Sequence, residues 1–164
     1  MKNPKILVAL FLIVVTLSLT GCSSEESKDL KHYINVELSV LDKNESEAIN
    51  GFNELAKSFE ETPEFYTKLY QTLDKTTIPK YEEFLKKLKE IEPKTEAVQK
   101  LHTLHVAGAE KQLEALKAYH SGISEKNEYK IAAANTMLTE AKILMDSYRE
   151  AAVKLADELN IKWR

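Results

Sequence analysis

Apolar residues recur at spacings of three and four from Leu30 almost to the C-terminus, with strongly helix-favouring residues between them. This pattern is typical of amphipathic helices, and it divides into four segments. The segments cover about residues 29–60, 63–91, 93–121 and 124–159. There is no alternating strand pattern and no internal repeat. The sequence therefore predicts an all-α fold.

Capping residues mark the ends of these segments. Thr62 followed by Pro63 is an N-cap with proline at the first helical position, which predicts the start of the second helix. Pro93 opens the third helix, and Gly122 is expected to end it. Ser124 is expected to cap the fourth helix.

Pro79 lies inside the second segment and leaves two alternatives. At about 100° per residue it falls opposite the apolar stripe, and that stripe keeps its phase from Tyr66 to Ile91. This favours one continuous, kinked helix. The alternative is a break, because Thr76 or Thr77 would cap a second helix.

Long helices joined by very short connections turn back on their neighbours. The sequence therefore predicts a four-helix, up-down-up-down antiparallel bundle of long helices. Its base holds the start of the first helix and the turn before the third. Its tip holds the turn near Thr62 and the turn near Gly122.

The residues before the bundle have the composition of a secretion signal. Lys2 and Lys5 precede an apolar stretch, Ile6 to Leu19, that is short for a transmembrane helix. The run Leu-Thr-Gly-Cys at 19–22 follows, and it resembles the lipobox of bacterial lipoproteins. The chain as a whole is similar in general character to small helical lipoproteins of Gram-positive bacteria, but no motif of a specific family matches it.

The resemblance implies cleavage between Gly21 and Cys22 and a diacylglyceryl group on the Cys22 thiol. Residues 1–21 would then be the lipoprotein signal peptide, 22–28 a lipidated polar tether and 29–164 the helical bundle. The protein would sit on the extracytoplasmic face of the cell membrane, with the covalent lipid as its only prosthetic group. The alternative is an ordinary signal peptide with a free thiol.

Charge and cysteine content limit the partners. Removal of residues 1–21 takes away Lys2 and Lys5 and changes the formal net charge from −3 to −5. This acidic balance argues against nucleic acid and against a polybasic membrane patch. Cys22 is the only cysteine, so no disulfide can form within the chain.

One cluster carries candidate chemistry. His102 and His105 lie one turn apart on the third helix, and Glu37 falls within the apolar stripe of the first helix at a similar height above the base. A buried carboxylate needs a partner, and imidazole nitrogens bind transition metals. One interpretation is a metal site of Glu37, His102 and His105. The other is a hydrogen-bonded layer, with Tyr81 and Tyr148 facing inward nearby, that fixes helix register.

The sequence contains no catalytic motif of the H-E-x-x-H, G-x-S-x-G or glycine-rich phosphate-loop type. We therefore expect a non-catalytic interaction module that binds an envelope protein or a cell-wall polymer. The alternative is a metal-binding bundle for acquisition or sensing. Leu101, Leu104 and Tyr119 widen the apolar arc of the third helix, which predicts either a central position in the bundle or a homodimer.

Overall fold

The structure, a computed structural model, describes residues 23–57 and 62–161. The predicted signal peptide and Cys22 lie outside the described residues, as do residues 58–61 and 162–164. Within the described part every regular element is helical and no strand occurs. The prediction of an all-α fold is confirmed.

The described helices form four continuous arms. The first arm consists of α1 (Ser23–His32), a π-helical segment π1 (Tyr33–Leu38) and α2 (Ser39–Lys57). The second consists of α3 (Pro63–Thr72), a second π-helical segment π2 (Leu73–Thr77) and α4 (Ile78–Lys89). The third arm is α5 (Glu96–Ser124), and the fourth is α6 (Glu128–Glu158).

The second arm begins as predicted and runs through Pro79 without a break. The Thr62 hydroxyl oxygen accepts a hydrogen bond from the Phe65 N–H at 3.2 Å, and Pro63 is the first helical residue. Pro79 lacks an N–H, and its ring crowds the carbonyl of Lys75 four residues earlier. Lys75 lies inside π2, where the wider helical turn relieves this crowding. The continuous helix is therefore the correct alternative.

The first arm begins earlier than predicted. Residues 23–28, expected to be a polar tether, are helical, so the helix starts at Ser23 and not near Asp29. Buried Asp29 accepts hydrogen bonds from the Lys94 N–H at 3.0 Å, the Thr95 N–H at 2.7 Å and the Thr95 hydroxyl at 2.8 Å. The Asp29 carboxylate thus caps the start of α5 from another helix and fixes α1 to it.

The boundaries predicted between the third and fourth helices were wrong. Pro93 precedes α5, which begins at Glu96, and α5 continues through Gly122 to Ser124. Ser124 therefore does not cap α6. Asn127 does, because its side-chain oxygen accepts a hydrogen bond from the Lys130 N–H at 3.1 Å.

The end of α5 is closed by a Schellman motif. Lys126, with φ of 51°, takes the left-handed position, and the Asn127 N–H donates to the Gly122 carbonyl at 2.8 Å. The Lys126 N–H donates to the Ile123 carbonyl at 3.1 Å. The expected helix stop at Gly122 would place a glycine in the left-handed position, but a lysine occupies it.

Helix α5 is central to the packing. It contacts α1, α3, π2, α4 and α6. Leu101 and Tyr119 are buried and Leu104 is partly buried within the single chain. A central position therefore accounts for the wide apolar arc of this helix.

Small residues bring α5 and α6 close together. A Cβ atom added at Gly108 would lie 2.6 Å from the Met145 sulfur, and one added at Gly122 would lie 3.0 Å from the Ile131 backbone nitrogen. The fully buried alanines of this pair of helices are Ala109, Ala115, Ala134 and Ala156. The absence of bulky side chains lets the two backbones approach, which explains the extensive contact between these helices.

Candidate functional site

Tyr33 brings the two candidate histidines together. It lies on π1, is 1% exposed, and points its hydroxyl at α5. The Tyr33 hydroxyl oxygen lies 3.3 Å from Nδ1 of His102 and 3.3 Å from Nδ1 of His105. Since these histidines lie one turn apart on the same face of α5, one hydroxyl group reaches both.

Tyr148 of α6 completes the cluster. Its ring stacks on that of His105, with centroids 4.3 Å apart and planes inclined by 12°, and its hydroxyl hydrogen-bonds that of Tyr33. His105 is 5% exposed. We call Tyr33, His102, His105 and Tyr148 the polar layer.

Counting protons constrains the tautomers of the polar layer. The Tyr33 hydroxyl has one proton, so it donates to at most one of the two Nδ1 atoms. The other imidazole must therefore carry its hydrogen on Nδ1 and donate to the Tyr33 oxygen. Nδ1 of His102 and of His105 cannot both be bare acceptors.

Burial keeps the polar layer uncharged. Desolvation, and to a smaller extent the nearby His102 and Arg149, lower the pKa of His105 to about 4. Desolvation also lowers the pKa of His102 and raises the pKa of Tyr148 to about 12. All four side chains are therefore neutral near pH 7.

Glu37 does not belong to this layer. It is partly exposed, and its carboxylate pairs with Nε2 of His32 on the same arm at 2.9 Å. An i→i+5 turn holds more residues than an α-helical turn, so π1 shifts the phase of the arm and buries Leu38 instead of Glu37. The prediction that Glu37 faces the core, which assumed 100° per residue along the first helix, was therefore wrong.

The predicted metal site of Glu37, His102 and His105 is therefore not assembled. In the part of the chain that the structure describes, no three His, Cys, Asp or Glu side chains are placed to hold a metal ion. The hydrogen-bonded layer exists, with Tyr33 in the place predicted for Glu37.

Two other polar groups extend into the core above the layer. Tyr81 is fully buried, and its hydroxyl donates to Oε1 of Gln112 at 3.2 Å. Glu45, which was not among the predicted site residues, is partly buried on α2. Burial and the neighbouring Asp42 raise the pKa of its carboxyl, while Arg149 acts in the opposite direction. Glu45 lies four residues, about one helical turn, after the buried Leu41, and this spacing was the available signal that it faces the core.

A comparison with protein families identifies the group to which the chain is related. The model of the EMYY-motif containing lipoproteins matches residues 1–160. The chain belongs to this family. The lipoprotein is therefore a membrane-anchored protein of the cell surface, as the N-terminal sequence predicts.

The other comparisons add no assignment. The letters E-M-Y-Y do not occur in succession in this lipoprotein, so the name of the family gives no residue a role. No curated protein and no solved structure matches the chain. Among the helices of residues 23–57 and 62–161, none is both long and apolar enough to cross a membrane. Gly21 and Cys22, the predicted cleavage and lipidation residues, lie outside these ranges.

Replacing Tyr33 by Phe should destabilise the lipoprotein. The ring would still fill its space, but the partners of its hydroxyl would be left in the core without a hydrogen bond, at a cost of about 1–3 kcal/mol. Glu37→Gln is the matched control on the same arm, and we expect it to change stability by less than about 0.5 kcal/mol. Urea unfolding measures both. Equal stability of Tyr33→Phe and the wild type would contradict the hydrogen bonding assigned to the layer.

Proposed function

We propose that the protein is anchored through a diacylglyceryl group on Cys22 at the extracytoplasmic face of a Gram-positive cell membrane, after cleavage between Gly21 and Cys22. There it acts as a non-catalytic module that binds an envelope protein or a cell-wall polymer. The observation that carries the proposal is the family match, which begins at residue 1 and so includes the Leu-Thr-Gly-Cys run. Two acyl chains on one cysteine suffice for stable attachment.

We further propose that the four arms form an up-down-up-down bundle. Three contacts support this topology. Asp29 contacts Thr95 near the starts of the first and third arms, and Phe52 contacts Tyr119 toward their other ends, so these two arms run parallel. Tyr70 stacks on His120, which pairs the start of the second arm with the end of the third. In this topology the start of α1, next to Cys22, is at the base, and the turns near Thr62 and Lys126 are at the far end.

The polar layer supports a structural role over a catalytic one. Its hydrogen-bonding groups satisfy one another inside the core, where they fix the register of three arms. We propose no resident cofactor besides the lipid. The acidic net charge favours protein or polymer partners over nucleic acid. A homodimer is not needed to cover Leu101 and Tyr119, because both are buried within one chain.

Changing Cys22→Ala should abolish membrane attachment. The variant has no thiol to acylate, so it should accumulate as an uncleaved precursor or appear in the medium. Immunoblots of membrane, soluble and medium fractions measure this outcome. Ser23→Ala, which leaves the thiol in place, is the control and should fractionate like the wild type. Normal processing and full membrane retention of Cys22→Ala would refute lipid anchoring.

A further inference from the structure

An open groove lies at the end of the molecule opposite the start of α1. It has a volume of about 730 Å³, and it runs between the first turns of α3 and the connection from α5 to α6. This volume is within the range of small-ligand sites, roughly 300–1,000 Å³. We call it the distal groove.

The apolar lining of the distal groove is mainly aromatic on one side. Tyr66 and Tyr70 lie four residues apart on α3 and so share a face, and Ile123 and Ile131 line the opposite side. The Tyr70 ring stacks on His120, with centroids 4.4 Å apart. The Tyr66 ring meets Phe65 edge-to-face at 5.6 Å. Both tyrosine rings are therefore held in position without a ligand.

The polar lining carries hydroxyl groups and balanced charge. Thr67 donates its hydroxyl proton to the Pro63 carbonyl at 2.9 Å, which leaves its oxygen able to accept, and Ser124 is exposed at the rim. The two charged lining residues, Lys126 and Glu128, have opposite signs. The groove thus offers donors and acceptors without net charge.

Helix caps hold both walls in place. The Thr62 cap fixes the start of α3, and the Schellman hydrogen bonds fix the connection after α5. A groove between capped helix ends is pre-organised, so a ligand does not have to order it on binding.

We propose that the distal groove binds a neutral glycan. A pyranose ring presents an apolar C–H face, which packs against an aromatic ring, and an edge of hydroxyl groups, which exchanges hydrogen bonds with hydroxyl and charged side chains. Aromatic faces beside polar groups match this combination. Glu64, next to the lining residue Pro63, and the acidic chain as a whole oppose a phosphate-rich polyanion. The proposal rests on the proposed function and narrows its partner to a polysaccharide.

The test uses the mature protein extracted from membranes in detergent and titrated with the tetramer of β-1,4-linked N-acetylglucosamine by calorimetry. We expect saturable binding that Tyr66→Ala and Tyr70→Ala each weaken by about tenfold or more, as is typical of a central aromatic anchor. Tyr129→Ala is the matched control. Tyr129 is 89% exposed next to Glu128 and is not among the residues that line the groove, so its loss should leave the affinity within about twofold.

A second variant distinguishes loss of binding from loss of folding. Ser124→Trp adds a large ring at an exposed rim position, and it should block the groove without touching the core. Thermal unfolding by circular dichroism checks each variant. Binding that survives Ser124→Trp and both tyrosine variants would overturn the assignment of this groove.

The remaining outcomes also decide the proposal. No binding of the tetramer, or binding of polyglycerol phosphate alone, would overturn the neutral glycan. Fractionation of Cys22→Ala tests the attachment separately, so failure of glycan binding and failure of anchoring can be distinguished.

Discussion

Lowering the pH from 7 to 4 should reduce the free energy of unfolding by about 3 kcal/mol through His105 alone. The pKa of this imidazole is about 4 in the folded protein and 6.5 ordinarily. A tenfold difference in proton affinity between the folded and the unfolded state corresponds to about 1.4 kcal/mol, so the difference between these two pKa values amounts to about 3 kcal/mol of stability.

The sign follows from which state binds the proton more tightly. Between pH 6.5 and 4 the unfolded chain protonates His105, whereas the folded chain keeps it neutral. The stabilisation is therefore complete above pH 6.5 and is lost as the pH falls toward 4. Glu45 acts in the opposite direction, because its raised pKa makes the folded state bind a proton more readily.

Urea unfolding of wild type and His105→Phe at several pH values isolates this contribution. Phenylalanine keeps a ring to stack on Tyr148 and cannot titrate. The free energy of unfolding of the wild type should therefore fall more steeply between pH 6.5 and 4 than that of His105→Phe. Val98→Ala removes buried methyl groups from the same helix and is the control, with an expected loss that is the same at every pH. An unchanged acid slope in His105→Phe would show that His105 is not held neutral.

Replacing Gly122 by Ala should cost about 1–3 kcal/mol, although alanine usually stabilises a helix. The added methyl group would lie 2.9 Å from Cγ1 and 3.0 Å from the backbone nitrogen of Ile131. A backbone atom at the start of α6 cannot move aside as a side chain does. The helices must therefore separate, which disturbs the Schellman connection beside them.

Gly51→Ala is the matched control for this substitution. It is also a helical glycine, but its added methyl group would meet only the Thr72 methyl group, at 3.3 Å. We expect it to change the free energy of unfolding by less than Gly122→Ala does. Thermal and urea unfolding measure both variants. Stabilisation by Gly122→Ala would contradict the close approach of α5 and α6.

Local signals predicted much of the fold. The four apolar segments and the Thr62-Pro63 start depend on neighbouring residues, and these expectations agree with the structure. The end of α5 depends on tertiary packing. Gly122 has the composition of a helix stop, yet it serves the contact with α6, and the chain ends the helix with Lys126 in the left-handed conformation.

The candidate site could be predicted only in part. His102 and His105 were found because α5 is regular, so a fixed angle per residue places them correctly. Glu37 was misplaced because π1 has no clear signal in the sequence, and one wide turn changes which residues face inward. The role of Tyr33 could not be predicted, because its contact with both histidines requires the three-dimensional packing of two arms.

The most direct measurement of the central claim is the intact mass of the protein extracted from membranes. Lipid anchoring predicts a chain that begins at Cys22 and carries the added mass of a diacylglyceryl group, with residues 1–21 absent. A chain that retains residues 1–21, or one that begins elsewhere with a free Cys22 thiol, would contradict it.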